Sequence, residues 1–248
     1  MIVLKTPVEI ELMAQANRLV AQVLRAVKAE VKPGVTTAHL DAMAEAMCRD
    51  AGAKPGFKGY HGYKYSLCCS VNSEVVHGFP RSDPLREGDI LSVDFGAVLN
   101  GFNGDAAMTI AVGPISEEAQ KLMDATERSL AAGIELMRPG NRLGDVSAAV
   151  QKVVEDAGFS VVRQFVGHGI GRALHEDPQV PNFGKAGRGV ELKPGLVLAI
   201  EPMVNVGGYE VKILADGWTA VTADGKLSAH FEHTVAVTED GPRILSLP

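Results

Sequence analysis

Residues 90–112 read Ile90-Leu-Ser-Val-Asp94-Phe-Gly-Ala-Val-Leu-Asn100-Gly101-Phe-Asn-Gly-Asp105-Ala-Ala-Met-Thr-Ile-Ala-Val112. Asn-Gly between two alternating runs is the strongest short-range hairpin signal, because a type I′ turn needs positive φ at both central positions. A two-residue turn there opposes Leu99 to Phe102, Gly96 to Asp105 and Phe95 to Ala106. One face then collects Leu91, Val93, Phe95, Phe102, Met108 and Ile110. The other collects Ser92, Asp94, Gly96, Asn103, Asp105 and Thr109. On that polar face Asp94 and Asp105 are diagonal neighbours. Two carboxylates side by side repel, and Asp is a poor strand residue. A bound cation would compensate, since carboxylate oxygens ligate hard and borderline metals well. The plain alternative is a solvated polar face with two unrelated aspartates.

Helical patterns lie on both sides of the hairpin. Thr6-Pro7-Val8-Glu9 offers a capping box with proline at the first helical position. Leu12, Ala16, Leu19, Val20, Val23 and Val27 follow at helical spacing until Lys32-Pro33-Gly34. A second helix starts at Thr36 or Thr37, carries Leu40, Met43 and Met47, and ends at Ala51-Gly52. The same grammar returns beyond the hairpin. Ser116-Glu117-Glu118 opens a helix with Leu122, Leu130, Ile134 and Met137, stopped by Arg138-Pro139-Gly140. Another, with Val146, Val150 and Val153, ends at Ala157-Gly158. Pro33 and Pro139 stand 106 residues apart, as do Gly52 and Gly158, while Gly88 and Gly195 stand 107 apart. Near-equal offsets imply an internal duplication.

The offset of 107 carries Asp94 onto Glu201, and Asp105–Val112 resembles Glu232–Thr238: an acid opening an alternating run. Each half thus offers one acid on an incoming strand and one on a returning strand. Halves packed about a pseudo-twofold axis bring four carboxylates together, and two divalent cations would balance them. Val166-Gly167-His168-Gly169 offers the nitrogen ligand, its glycines permitting close backbone approach. By equivalence of place, Asp105 and Glu232 bridge the ions, Asp94 completes one, and His168 with Glu201 completes the other. A two-metal site of this kind polarises a substrate oxygen and activates water. The expected architecture is α+β: a curved antiparallel sheet backed by helices on its outer face. It forms a single catalytic domain over residues 1–248, with halves at roughly 1–112 and 113–248.

Composition excludes other classes. The 248 residues are 46% hydrophobic with a net charge of −6, and mean hydropathy is +0.08. Such a balance argues against a nucleic-acid or anionic-membrane surface. No apolar run is long enough to span a bilayer, and the N-terminus lacks the pattern of a secretory signal. Three cysteines, Cys48, Cys68 and Cys69, make no disulfide framework and suit a reducing cytoplasm. Monomer is the default expectation.

The ordered set Asp94, Asp105, His168, Glu201, Glu232 resembles the metal ligands of the methionine aminopeptidases. Further motifs agree: Gly59-Tyr60-His61-Gly62-Tyr63, Val75-Val76-His77-Gly78-Phe79-Pro80, Gly167-His168-Gly169-Ile170-Gly171-Arg172, Ala199-Ile200-Glu201-Pro202, Asp216-Gly217-Trp218-Thr219 and Ser228-Ala229-His230-Phe231-Glu232-His233-Thr234. The resemblance covers essentially the whole chain and implies the duplicated pita-bread fold. It is to the type I branch, since the interval from His175 to Glu201 has no room for the helical insertion of type II members. No N-terminal zinc-finger extension precedes the motifs, which favours bacterial cytoplasm.

The implied reaction removes the initiator methionine from nascent chains with a small second residue, at the ribosome, by attack of a water held between the metal ions. The resemblance implies Glu201 as proton acceptor and His77 and His175 as contacts to the scissile amide and tetrahedral intermediate. It implies a methionine pocket of Tyr60, Tyr63, Cys68, His77, Leu174, His175 and Trp218. Leu174 departs from the phenylalanine of many type I members, which bears on pocket shape. Cobalt, manganese, iron and zinc all fit an oxygen-rich site with one imidazole. If residues 67–71 form a strand, only one of Cys68 and Cys69 faces the pocket. His39 is read as structural, and His233 as a candidate outer partner of the metal ligands. The alternatives are an Xaa-Pro aminopeptidase of the same fold, which usually carries a separate N-terminal domain, and a metal-free binding protein.

Overall fold

The computed structural model describes residues 2–247. Four helices, α1 (Pro7–Glu30), α2 (Thr37–Asp50), α3 (Glu117–Glu135) and α4 (Leu143–Asp156), lie against a curled antiparallel sheet. Their starts follow from local chemistry. Thr6 accepts from the Glu9 amide while Glu9 Oε2 accepts from the Thr6 amide at 3.0 Å, a complete capping box. Thr36 and Ser116 cap α2 and α3 with their side chains. Two expectations shift slightly. α3 ends at Glu135, so Met137 is buried from the following turn. On α4, Val154 points into the core where Val153 was expected, and Val153 is half-buried.

The hairpin Ile90–Leu99 and Phe102–Ala111 pairs in the expected register, from Leu99 opposite Phe102 to Ile90 opposite Ala111. Asn100 and Gly101 take φ of 54° and 78°, the positive values that asparagine tolerates and glycine, without a Cβ, adopts freely. The strand order places the two returning strands side by side. It runs Lys54–Pro55, Ile90–Leu99, Phe102–Ala111, Glu232–Thr238, Val197–Ile200, Gly167–Gly169, Glu176–Val180. Leu67–Val71 also pairs Ile90–Leu99, and Gly241–Ile244 pairs Glu232–Thr238. The order around the middle is therefore palindromic: incoming, returning, returning, incoming.

Each helix pair covers the strands of its own half. Leu19, Val20, Val23, Leu24 and Leu40 pack on Leu91, Val93, Phe95 and Ile110. Leu130, Ile134, Leu143 and Val146 pack on Leu198, Ile200, Val235 and Val237. Leu91 and Leu198, Val93 and Ile200, each 107 apart, hold corresponding places. α1 docks unusually closely: a Cβ at Gly104 would lie 2.7 Å from the backbone of Ala16 and Asn17. Asn17 Oδ1 there accepts from the Asp105 amide at 3.2 Å. Because side chains alternate along a strand, burying 91, 93 and 95 under helices turns 92, 94 and 96 into the concavity.

The central seam is short. Glu232 pairs with Ala107 and His233 with Ala106, whereas the hairpin strands pair along their whole length. Side-chain hydroxyls replace further ladder bonds. Thr109 Oγ1 donates to His230 O and accepts from His230 N, both at 2.9 Å, and Thr234 Oγ1 donates to Asp105 O at 2.8 Å. Two small sheets flank the concavity. One joins Glu74–Val76, Val211–Ile213 and Ala220–Thr222, and its ends carry His77 and Trp218. The other joins Ser160–Val161, Met203–Asn205 and Ser228–His230. Among the described residues, no helix is long and apolar enough to cross a membrane.

Candidate active site

A cavity of about 280 Å³ opens in the concave face. Asp94, Asp105, His168, Glu201 and Glu232, from four strands and one strand end, all line it. Ligand atoms of Asp105, His168 and Glu232 lie within 4.8 Å of one another. His168 Nε2 stands 3.9 Å from Asp105 Oδ2 and 3.5 Å from Glu201 Oε1. Backbone closeness fixes His168: a Cβ on Gly167 would lie 2.3 Å from Ala199 O, and one on Gly169 2.2 Å from Asp177 O. No side chain fits at either position.

The electrostatics of this cluster are adverse without a cation. Burial pushes Asp94 up to about 7. Burial first, then neighbouring carboxylates, hold Asp105, Glu201 and Glu232 well above the usual carboxylate range. Asp94 Oδ1, Asp105 Oδ1 and Glu232 Oε1 are buried with no hydrogen-bond partner. Orphaned buried oxygens are rare and call for an ion or water. His168 complements them. Burial lowers its imidazole to about 4, so it is neutral near pH 7. Its Nδ1 meets Gly169 O at 2.9 Å, which places the proton on Nδ1 and leaves the Nε2 lone pair facing the acids. This donor set, four carboxylates and one imidazole nitrogen, fits divalent cations.

The remaining expected residues line the same cavity: Tyr60, Tyr63, Cys68, His77, Leu174, His175 and Trp218. Tyr63 is buried and donates to Leu67 O and Gly78 O at 3.0 and 3.1 Å, with its ring edge-on to Trp218. His77, at φ 62°, stands edge-on to Phe165 and Trp218. Its loop is pinned by the bidentate Arg81–Glu74 pair at 2.7 and 2.9 Å. Burial lowers His77 to about 4. His175 Nδ1 shares a 2.7 Å hydrogen bond with the Tyr60 hydroxyl, and the ring lies edge-on to His168 at 4.3 Å between centroids. Asp216 folds the Trp218 turn by accepting from the amides of Trp218 and Thr219 at 2.8 and 2.9 Å.

Cys68 faces the cavity and Cys69 packs in the α1 core, so the strand divides them as expected. His39 is exposed on α2. His233 is corrected: next to Glu232 on one strand, it points the opposite way, and its Nδ1 meets Ser246 Oγ at 2.8 Å. His230 is the closer neighbour, with Nε2 buried 3.8 Å from Glu201 Oε2. Two cavity residues escaped the sequence reading. His61 sits within a quoted motif without an assigned role. Phe57 was missed, although the glycine inside a strand at Gly96 signals a close approach, and a Cβ there would lie 2.7 Å from the Phe57 ring.

The profile of Metallopeptidase family M24 matches residues 11–239. The methionine aminopeptidase of Clostridium perfringens is 58% identical over 247 residues, covering 100% of this chain and 99% of that protein. The crystal structure of methionine aminopeptidase from Thermotoga maritima matches 100% of both chains with a TM-score of 0.98 at 50% identity. The prolidase of Pyrococcus horikoshii shares the fold, with a TM-score of 0.80 at 21% identity, over 98% of this chain and 63% of its own. With a metallopeptidase profile over most of its length and a full-length likeness above half identity, the chain belongs to metallopeptidase family M24 and, within it, to the methionine aminopeptidases.

Proposed function

We propose that this chain removes the N-terminal methionine from polypeptides whose second residue is small, acting in the cytoplasm on nascent chains as a monomer. The observation that carries the reading is the convergence of five metal-type side chains with three orphaned buried oxygens at one end of an aromatic-lined cavity. Residues 1–248 serve as one catalytic domain of two related halves. Asp94, Asp105, His168, Glu201 and Glu232 would hold two divalent ions; cobalt, manganese, iron and zinc all suit the donors. The ions, when bound, supply Lewis acidity at the scissile carbonyl and acidify water.

The chain's own groups do the rest. Glu201 accepts the proton lost by the attacking water. His175 serves as a donor when the Tyr60 hydroxyl donates to Nδ1: burial favours the neutral ring, and that arrangement puts the proton on Nε2. That N–H is available to the amide oxygen as charge develops there. His77, neutral as well, contacts the scissile amide. Tyr63, Cys68, Leu174 and Trp218 offer an apolar, polarisable lining suited to a thioether.

Hydrolysis of Met-Ala-Ser against Ala-Pro-Ala by chelated protein reloaded with each metal tests the proposal. Metal-dependent release of methionine supports it. Preference for the proline peptide, or full activity after strong chelation, would discard it. Calorimetric titration of the chelated protein counts the ions.

A further inference from the structure

A buried ion pair, Lys5–Glu176, lies outside the cavity, and no step above uses it. Lys5 Nζ stands 2.5 Å from Glu176 Oε2, with side chains 4% and 15% exposed. The same Nζ donates to Val3 O at 3.0 Å. The Lys5 amide donates to Gly195 O at 2.7 Å, just before the strand that leads to Glu201. On the other partner, Glu176 Oε1 accepts from the Ala173 amide at 3.2 Å. Both carboxylate oxygens are thus engaged, which leaves Glu176 one orientation.

The turn 170–176 closes around this pair. Gly171 N donates to Ala173 O at 3.1 Å, and a Cβ on Gly171 would meet both Glu176 Oε1 and Lys5 Cε at 2.6 Å. Asn103 clamps the outer side by donating to Gly171 O and Arg172 O, each at 3.0 Å. The inner side of the turn carries Leu174 and His175 into the cavity. Buried ion pairs add little net stability, since desolvation offsets their attraction. This one is placed where it fixes the backbone beside a cavity histidine.

We infer that Lys5 and Glu176 are positioning residues for His175: the pair sets where the imidazole meets the scissile amide, and so governs the chemical step, not ion loading or substrate affinity. The inference rests on the proposed role of His175. A misplacement of about 1 Å by a change remote from the chemistry costs on the order of 100-fold in rate.

The test compares Lys5→Met and Glu176→Gln with the unmodified chain, reloaded with manganese or cobalt, on Met-Ala-Ser. The readouts are kcat, KM, ion affinity by calorimetry, and, on protein reloaded with diamagnetic zinc, the His175 imidazole resonances by NMR. Both variants are expected to lose about 10–100-fold in kcat, with KM and ion affinity within about twofold and the His175 signals displaced. A kcat within twofold of the unmodified chain, a loss confined to KM or ion affinity, or unmoved His175 signals would overturn the inference. Glu176→Gln keeps the size of the side chain and the acceptor for Ala173, so it decides alone if Lys5→Met does not fold. Failure of the unmodified chain to cleave the peptide would instead count against the aminopeptidase reading, and the NMR comparison, which needs no turnover, would still decide the positioning.

Discussion

Gly104→Ala tests how the first helix is tied to the metal-type cluster. The new Cβ would lie 2.7 Å from Ala16 C and Asn17 N and 2.9 Å from Asn17 Cα. Carbon atoms prefer about 3.5–4 Å, so α1 must retreat by roughly 1 Å. All three neighbours are backbone, so no side chain can swing aside. Overpacking of this kind costs about 1–3 kcal/mol. The retreat also stretches the 3.2 Å bond from the Asp105 amide to Asn17 Oδ1. A buried amide without its partner costs a further 1–3 kcal/mol or so. Restricting the unfolded chain returns about 0.4–1 kcal/mol. The net loss is about 1–6 kcal/mol, and at roughly 2 °C per kcal/mol for a chain of this size the melting temperature falls by about 2–12 °C. Scanning calorimetry of chelated protein measures it. Ion affinity should fall too, since Asp105 follows Gly104 on the strand. A melting temperature unchanged within about 1 °C would show that α1 yields freely there, and the argument for a rigid dock would fail.

Three further outcomes are expected. Asp105→Asn should raise the melting temperature of the chelated protein, because the native carboxyl must take up a proton to be buried beside Glu232 and Asp94 and the amide needs none, while peptidase activity drops by at least about 100-fold; an active variant would remove Asp105 from the ligand set. Above the ordinary histidine value of 6.5, the chelated protein should lose stability as pH rises through the raised carboxyl values of the folded state. The folded carboxyls are raised, Asp94 to about 7, so the folded state holds protons that the unfolded chain has released. Ion-loaded protein should lack this slope, and urea titrations at several pH values compare the two. Tyr60→Phe removes the hydroxyl from His175 Nδ1 and frees its tautomer, which should lower kcat by about tenfold and leave ion affinity unchanged; steady-state kinetics with calorimetry would show otherwise.

Much of this was legible in the chain. The Asn100-Gly101 turn set a register in which each strand pair follows by arithmetic, and the offset of 107 carried that reading from Asp94 to Glu201. Capping residues announced three helix starts because their signals are local. The less legible features depend on contacts between distant segments. Nothing near Lys5 announces Glu176, and Phe57 is recognisable only through the missing side chain at Gly96. His233 misled because adjacency in sequence to Glu232 means opposite faces on a strand. Val153 gave way to Val154 because helical spacing alone leaves a register uncertain by about one residue at the edge of an apolar stripe.

The short seam between the halves has a mechanical consequence. The halves are joined in the sheet only at Ala106–Ala107 against Glu232–His233, and the buried carboxyls of Asp105 and Glu232 sit beside that waist. Cations bound there would act as a keystone, turning mutual push into compression across the joint. Amide protons flanking the waist would then exchange more slowly in step with occupancy, so the protein carries its own gauge of how fully it is loaded.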